Sequence, residues 1–409
     1  MNNERYEKYT KLKSCLKGVT YKNVPLELMS AFFIADLVYN YPSIKIFEKI
    51  KYLVKYLFLI PKIRKPDSKK QAIFGWSIDR DDYKNLSKAY KDKLAWEFEN
   101  ICLGGKIVGW RMSLNIAALN MAFHSLSSAS KDLSGIEKFY IFLSIYSALN
   151  FYYYLEKTFS EINPEKYLSF NSSYQFESIM TLYFRYKGVE TYSMQHGMYF
   201  EFKNRIPFEM ITSYFCTAKN MLLWGEFSKQ QIQKYVPENT NLIVIGNPLY
   251  SNYDSEKLDV YSVLSTKVIV GLPRGVYEKE VLKLLRVLES PLLSEYEFVV
   301  RPHPNLDKKK IVGFIKDNPN ILLSSKRTLN EDIEESAYRA MIGFNSTVLF
   351  EGLTYKLPVL QYRSGNDEFY DVGFPEFSNS QQLLSLLSDV DNRKINLDFY
   401  FSKSANEPI

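Results

Sequence analysis

Short apolar runs alternate with longer amphipathic windows along most of the chain, the rhythm of strands separated by helices. One set of strand-like runs comprises Ala72 to Ile78, Tyr167 to Phe170, Val189 to Met194, Met221 to Trp224 and Leu242 to Ile245. A second set comprises Val268 to Leu272, Glu297 to Arg301, Ile321 to Leu323, Ala340 to Ile342 and Val359 to Gln361. Helical windows at Glu278 to Leu288, Asp307 to Lys316 and Thr347 to Tyr355 fall among the second set. Such alternation predicts parallel sheets with helices on their faces. Between the sets, Ser251 to Asp259 is polar and follows Gly246-Asn247-Pro248, the pattern of a linker. The expected fold class is α/β: two Rossmann-like domains with parallel sheets, over 71–255 and 256–409, facing a central cleft, with a helical segment over 1–70 ahead of them.

Two helical stretches stand apart from this rhythm. Phe139 to Leu155 carries no charge and approaches the length of a membrane span, but Ser144, Ser147, Asn150 and several tyrosines make it a poor fit to hydrocarbon. It reads as a buried helix. From Ile44 to Lys70, Lys45, Lys49, Lys51, Lys55, Lys62, Arg64, Lys65, Lys69 and Lys70 are interleaved with Ile46, Phe47, Leu53, Val54, Leu57, Phe58 and Ile60. Two readings fit: an interfacial helix on anionic lipid, and a core helix with a solvated lysine face. Pro61 and Pro66 should end it.

Composition narrows the function classes. The chain has 409 residues, 52 Lys and Arg against 46 Asp and Glu, and a net charge of +6. That charge is too small for a dedicated nucleic-acid binder. Cys15, Cys102 and Cys216 are widely spaced, which argues against a disulfide framework and a structural zinc site. With no signal-peptide pattern at Asn2 to Glu7, the expected location is the cytoplasm, at the inner face of the cell membrane if the basic helix docks there. An aromatic content of 16% suits either an aromatic core or work at a lipid boundary.

Ligands of parallel α/β sheets lie beyond the carboxyl ends of the strands. Two of the three histidines follow predicted strands: His196 in Gln195-His196-Gly197, and His303 in Arg301-Pro302-His303-Pro304. His124 sits among Ala122, Phe123 and Leu126 and reads as a packing residue. Gly197 permits close approach of a substrate, and an imidazole takes a proton near neutral pH, so His196 is a candidate general base, against the alternative of a loop histidine that merely hydrogen-bonds. The prolines around His303 stiffen a turn that holds Arg301 and His303 toward phosphate oxygens, unless it is only a rigid solvent turn. Asn345-Ser346-Thr347 between a strand and a helix predicts a capped N-terminus able to receive an anion, with Glu351 one turn on and placed to meet ribose hydroxyls. Arg274, in Gly271-Leu272-Pro273-Arg274-Gly275, marks a weaker anion loop. Asp79-Arg80-Asp81 and Asp389-Val390-Asp391 have the spacing of a metal-holding pair. Asp79, just after the first strand, is the reserve candidate for the base.

Together these elements resemble nucleotide-dependent glycosyltransferases of the two-Rossmann, GT-B type that build bacterial capsule, lipopolysaccharide and teichoic acid. Gln195-His196-Gly197 is similar to the turn of capsule Kdo transferases, and a His-Gly element also occurs in CDP-glycerol glycerophosphotransferases. His303-Pro304 with Ser346-Thr347 resembles the paired motifs of bacterial sialyltransferases. The likeness spans about Thr191 to Leu360. It implies an inverting, metal-independent transfer from a nucleotide sugar, CMP- or CDP-linked, to a lipid-linked saccharide, with no further cofactor. His196 would be the base, and Gln195, Gly197, Arg274, Arg301, His303, Pro304, Asn345, Ser346, Thr347 and Glu351 would hold the donor. The competing activities are a polyol-phosphate transferase of the CDP-glycerol type, a UDP-sugar 2-epimerase and a non-catalytic nucleotide-sugar-binding subunit.

Overall fold

The computed structural model describes residues 2–66, 70–128, 132–202, 206–249, 264–303, 306–316, 318–326, 329–346, 348–365, 372–389 and 397–402. The chain divides into two compact units. Described residues of the N-terminal unit lie within 2–199 and 206–249, and those of the C-terminal unit within 200–202 and 264–402. The polar stretch expected to be the linker, 251–259, lies outside the described residues.

The N-terminal unit opens with helices α1 (Asn2–Ser14), α2 (Ala31–Tyr39) and α3 (Ile46–Phe58). Strands β1 (Leu59–Pro61), β2 (Ala72–Trp76), β3 (Phe98–Cys102) and β4 (Trp110–Met112) follow, with α4 (Asp81–Leu94) between β2 and β3. Helices α5 (Ile116–Ser128) and α6 (Gly135–Phe159) lead to β5 (Lys166–Ser169), α7 (Gln175–Tyr186), β6 (Glu190–Met194), β7 (Asn220–Leu223) and β8 (Asn241–Val244). Six strands pair in the order β8-β7-β6-β5-β2-β3, all parallel, while β1 and β4 form a separate antiparallel ribbon. The strand order reverses between β2 and β5, the position at which sheets of this kind bind ligands beyond the carboxyl ends.

The uncharged stretch 139–155 lies inside α6, which is buried on most of its circumference and packs against α2, α3, α5 and α7. A helix apolar all round needs such cover. Ser134 and Glu137 form a capping box at its start, and Lys11 of α1 pairs with Glu137 at 2.9 Å, tying the first helix to the central one. Among the described residues no helix is long and apolar enough to cross a membrane. The segment expected to stand ahead of the first domain instead shares its core: Tyr9, Leu12, Phe33 and Leu37 belong to one buried cluster with Tyr146, Phe151 and Ile179. Helix α3 ends at Phe58, three residues before Pro61, and the chain continues as β1.

The C-terminal unit contains β9 (Lys267–Gly271), α8 (Glu278–Leu288), β10 (Glu297–Arg301), α9 (Lys308–Ile315) and β11 (Ile321–Leu323). It continues with α10 (Leu329–Glu335), β12 (Ala340–Gly343), α11 (Val348–Thr354), β13 (Val359–Tyr362), β14 (Glu376–Phe377) and α12 (Ser380–Ser388). The sheet order is β11-β10-β9-β12-β13-β14, again all parallel, with the reversal between β9 and β12. Both units are therefore Rossmann-like. Helix α11 sits directly on this reversal because glycines on both the strand and the helix let the two approach. A Cβ on Gly271 would lie 2.5 Å from Val348, and one on Gly352 would lie 2.5 Å from the Met341 sulfur.

Candidate functional site

In the N-terminal unit the carboxyl ends of β2, β5 and β6 lie side by side. The loop after β6 carries His196. Its ring centroid lies 5.2 Å from that of Phe170, which follows β5, 6.2 Å from that of Tyr83 in α4, and 6.5 Å from that of Tyr199. The ring nitrogen Nδ1 is buried and has no hydrogen-bond partner among the described residues. Burial pushes the imidazole pKa down to about 4; a backbone hydrogen bond at Met194 opposes the shift, and the positive charge of Arg80 adds to it. At neutral pH the ring is uncharged and can accept a proton. Arg80 is itself stacked on Tyr83 at 4.2 Å and hydrogen-bonded to Asp82.

Gln195 does not face a ligand. It is fully buried, and its Nε2 donates to the Gly197 carbonyl at 2.9 Å and to Ser228 Oγ at 2.8 Å. Its Oε1 accepts from the Trp224 amide at 2.7 Å, and its backbone carbonyl accepts from Tyr90. The side chain is consumed in bracing the end of β6 against the end of β7, so the sequence expectation of donor binding gives way to a positioning role for the His196 loop. Gly197 has an ordinary backbone, and a Cβ there would meet nothing within 4 Å. Space, not backbone torsion, is what the glycine leaves.

Asp79 is exposed and paired with Lys84 at 2.6 Å, in a loop that begins earlier than expected because β2 ends at Trp76. A different carboxyl occupies the reversal point. Glu177, from the first turn of α7, is completely buried and accepts from Ser77 Oγ after β2, from Ser169 Oγ at 3.0 Å and from the Asn171 amide at 2.7 Å. Burial raises its pKa to about 7, against the pull of those three hydrogen bonds. Sequence reasoning missed it: a glutamate in a helix's first turn normally reads as solvated and favourable to the dipole. The only available signal was the cluster of serines, Ser77, Ser169, Ser172 and Ser173, at the ends of two apolar runs.

In the C-terminal unit Arg301 ends β10, but its guanidinium is directed to Asp332 of α10, a carboxylate only 5% exposed that also accepts from Ser324 at 2.7 Å. Arg301 therefore has a structural task beside the expected phosphate contact, since a buried carboxylate left without its cation is costly. His303 is half-buried in the following turn, where its carbonyl accepts from the Leu306 amide at 2.9 Å. Arg274 is exposed after β9. Asn345 adopts a left-handed φ of 47°, a conformation asparagine tolerates, and Ser346 Oγ accepts from the Val348 amide at 3.4 Å. Glu351 is half-buried in α11. Pro304 and Thr347 lie outside the described residues. Two buried polar atoms at adjacent strand ends have no partner among the described residues, Nδ2 of Asn345 and Oε1 of Gln361. A bound polar ligand commonly satisfies such atoms.

His124, expected to be a packing residue, is exposed on α5 beside Phe123. Among the described residues no three His, Cys, Asp or Glu side chains are arranged to hold a metal ion.

No family model matches the sequence, and no curated protein matches it. Among solved structures, the chain is similar to a UDP-GlcNAc 2-epimerase from Methanocaldococcus jannaschii at 14% identity and a TM-score of 0.47, covering 81% of this chain and 96% of that one. It is similar to the lipopolysaccharide outer core galactosyltransferase WaaB in its apo form at 14% identity and a TM-score of 0.46, over 80% and 92% of the two chains. A glycosyltransferase from Rickettsia africae shows 16% identity and a TM-score of 0.45 over 79% and 89%.

Proposed function

We propose that the chain is a glycosyltransferase that passes a sugar from a nucleotide-activated donor to a growing bacterial surface saccharide, with inversion and without a metal. The observation that carries this reading is His196: an uncharged imidazole, set at the carboxyl ends of parallel strands, with a buried nitrogen unpartnered among the described residues. In the proposed step the half-buried imidazole takes the proton of an acceptor hydroxyl as its oxygen bonds to the anomeric carbon. The bond from that carbon to the phosphate oxygen breaks, and the nucleotide departs with the electron pair. A base of low pKa stays available through the whole neutral range, at the expense of proton affinity. Arg274, His303 and Ser346, with Asn345 and Gln361, are assigned to the nucleotide diphosphate or monophosphate of the donor.

The test is His196→Gln, compared with wild type and Asp79→Asn for transfer from a panel of CMP-, CDP- and UDP-linked donors in EDTA. Transfer should fall about 100- to 10,000-fold in the histidine variant with the fold retained, and survive in the aspartate variant. The reverse pattern would move the base to Asp79.

Glu177 favours one other reading. A carboxyl with a pKa of about 7 is able to give and take protons at neutral pH, as a UDP-sugar 2-epimerase requires. Conversion of UDP-GlcNAc with no acceptor present would select that activity.

A further inference from the structure

Helix α3 packs Leu53, Tyr56 and Leu57 on the core and carries a second apolar stripe on its outer side. Its aliphatic stripe, Ile46, Phe47, Ile50 and Val54, faces solvent, with Phe47 78% exposed, and Tyr56 is its one buried residue. The cause lies on the opposite face. Asp36 of α2 accepts hydrogen bonds from both Tyr52 and Tyr56, whose rings stack at 4.9 Å, and from Asn40 at 2.6 Å. Lys49 and Lys55 lie over the rings of Tyr41 and Trp110 at 5.2 and 5.3 Å. Tyr52, Leu53, Tyr56 and Leu57 are thereby drawn inward, and Ile46, Phe47, Ile50 and Val54 are left outside.

A second element adjoins it. Strand β1 follows α3 without a break and pairs Leu59 with Met112, and the Ser113 amide donates to the Phe58 carbonyl at 2.8 Å. From there the chain alternates: Met112, Leu114 and Ile116 are exposed, Met112 by 77%, while Ser113 hydrogen-bonds Asn150 and Asn115 caps α5. Two elements joined through the β1–β4 ribbon therefore each expose a run of large apolar side chains, more than the single scattered residues of an ordinary soluble face.

Charge identifies what fits it. Residues 45–66 contain Lys45, Lys49, Lys51, Lys55, Lys62, Arg64 and Lys65 against Glu48, and 105–116 add Lys106 and Arg111 with no acid. A second copy would set this basic rim against itself across a two-fold axis. A surface with an apolar interior and negative head groups complements it. We propose that α3 and the segment 112–116 together dock the protein on a bilayer containing anionic phospholipid, the apolar side chains entering the acyl boundary and the exposed Lys45, Lys51, Lys62 and Arg64 meeting the phosphates. This goes beyond the proposed transfer reaction and does not depend on it.

The test uses the full chain in flotation with vesicles of phosphatidylcholine alone and of phosphatidylcholine mixed with phosphatidylglycerol. The protein should float with the mixed vesicles, less so as salt is raised, and binding should drop roughly tenfold in each of Phe47→Glu and Met112→Glu. As both residues are exposed, melting temperatures should stay at the wild-type value. An independent readout is Phe47→Trp: the new indole should shift its emission to the blue and be quenched by brominated acyl chains. Equal flotation of both variants, loss in Phe47→Glu alone, an unquenched indole, or a solution dimer that these substitutions dissociate would each overturn the proposal.

Discussion

Two buried titratable groups near the N-terminal reversal point pull stability in opposite directions with pH. Glu177 has its folded-state pKa raised from 4.5 to about 7. Its contribution is present in full below the ordinary carboxyl value and is lost as pH rises through about 7. Glu177→Gln should therefore abolish a decline on the order of 2–3 kcal/mol between pH 4.5 and 7, read from urea midpoints across that range; an unchanged slope would mean that the carboxyl ionises as it does in the unfolded chain. His196 is lowered from 6.5 to about 4, so its contribution is present above pH 6.5 and is lost as pH falls through 4. At this scale the sequence is only partly readable. His196 was legible because a rare residue followed a recognisable apolar run, and Gln195 was legible as part of the same turn. That Gln195 points inward could not be read, because its partners Trp224 and Ser228 lie 29 and 33 positions away.

The same limit governs individual elements. Strands such as β9, β10 and β12 are buried on both faces and announce themselves as unbroken apolar runs. Strand β3 escapes notice, since as an edge strand of sequence Phe-Glu-Asn-Ile-Cys it buries Ile101 while Glu99 and Asn100 are less covered. Arg301 illustrates the cost of reading a strand end by itself. Its flanking Pro302 suggested a rigid phosphate turn, whereas the guanidinium reaches 31 positions along the chain to fasten α10 to β10. Arg301→Ala is expected to destabilise the C-terminal unit by about 3–5 kcal/mol by leaving Asp332 buried and unpaired. Adding Asp332→Asn should recover part of that loss. Urea denaturation of the single and double variants measures both, and a single-variant loss below the error of the method would return Arg301 to a ligand-binding role.

For the molecule as a whole, the alternation of apolar runs with helical windows gave the two parallel sheets and their order of appearance, because local periodicity reports burial directly. It could not show that α1 and α2 share a core with α6 and α7, an arrangement built from contacts between distant segments. Two units with separate cores permit a selective response to ligand. If the nucleotide is held at the ends of β9, β12 and β13, a panel of CMP, CDP, UDP, GDP and dTDP should contain at least one member that raises the melting temperature by mass action. The accompanying increase in hydrogen-exchange protection should centre on Asn345, Ser346 and Gln361. Protection confined to the N-terminal unit would place the nucleotide elsewhere.

The bracing of Gln195 has a consequence for how such a protein diversifies. The imidazole beside it is anchored from behind, by the sheet, while the loops at 77–80 and 170–173 approach from other strands. If the proposed transfer holds, changes at the exposed Asp79 and Arg80 would alter which saccharide reaches the ring without relocating it, whereas Ser77 and Asn171 are tied to Glu177 and are not free to vary.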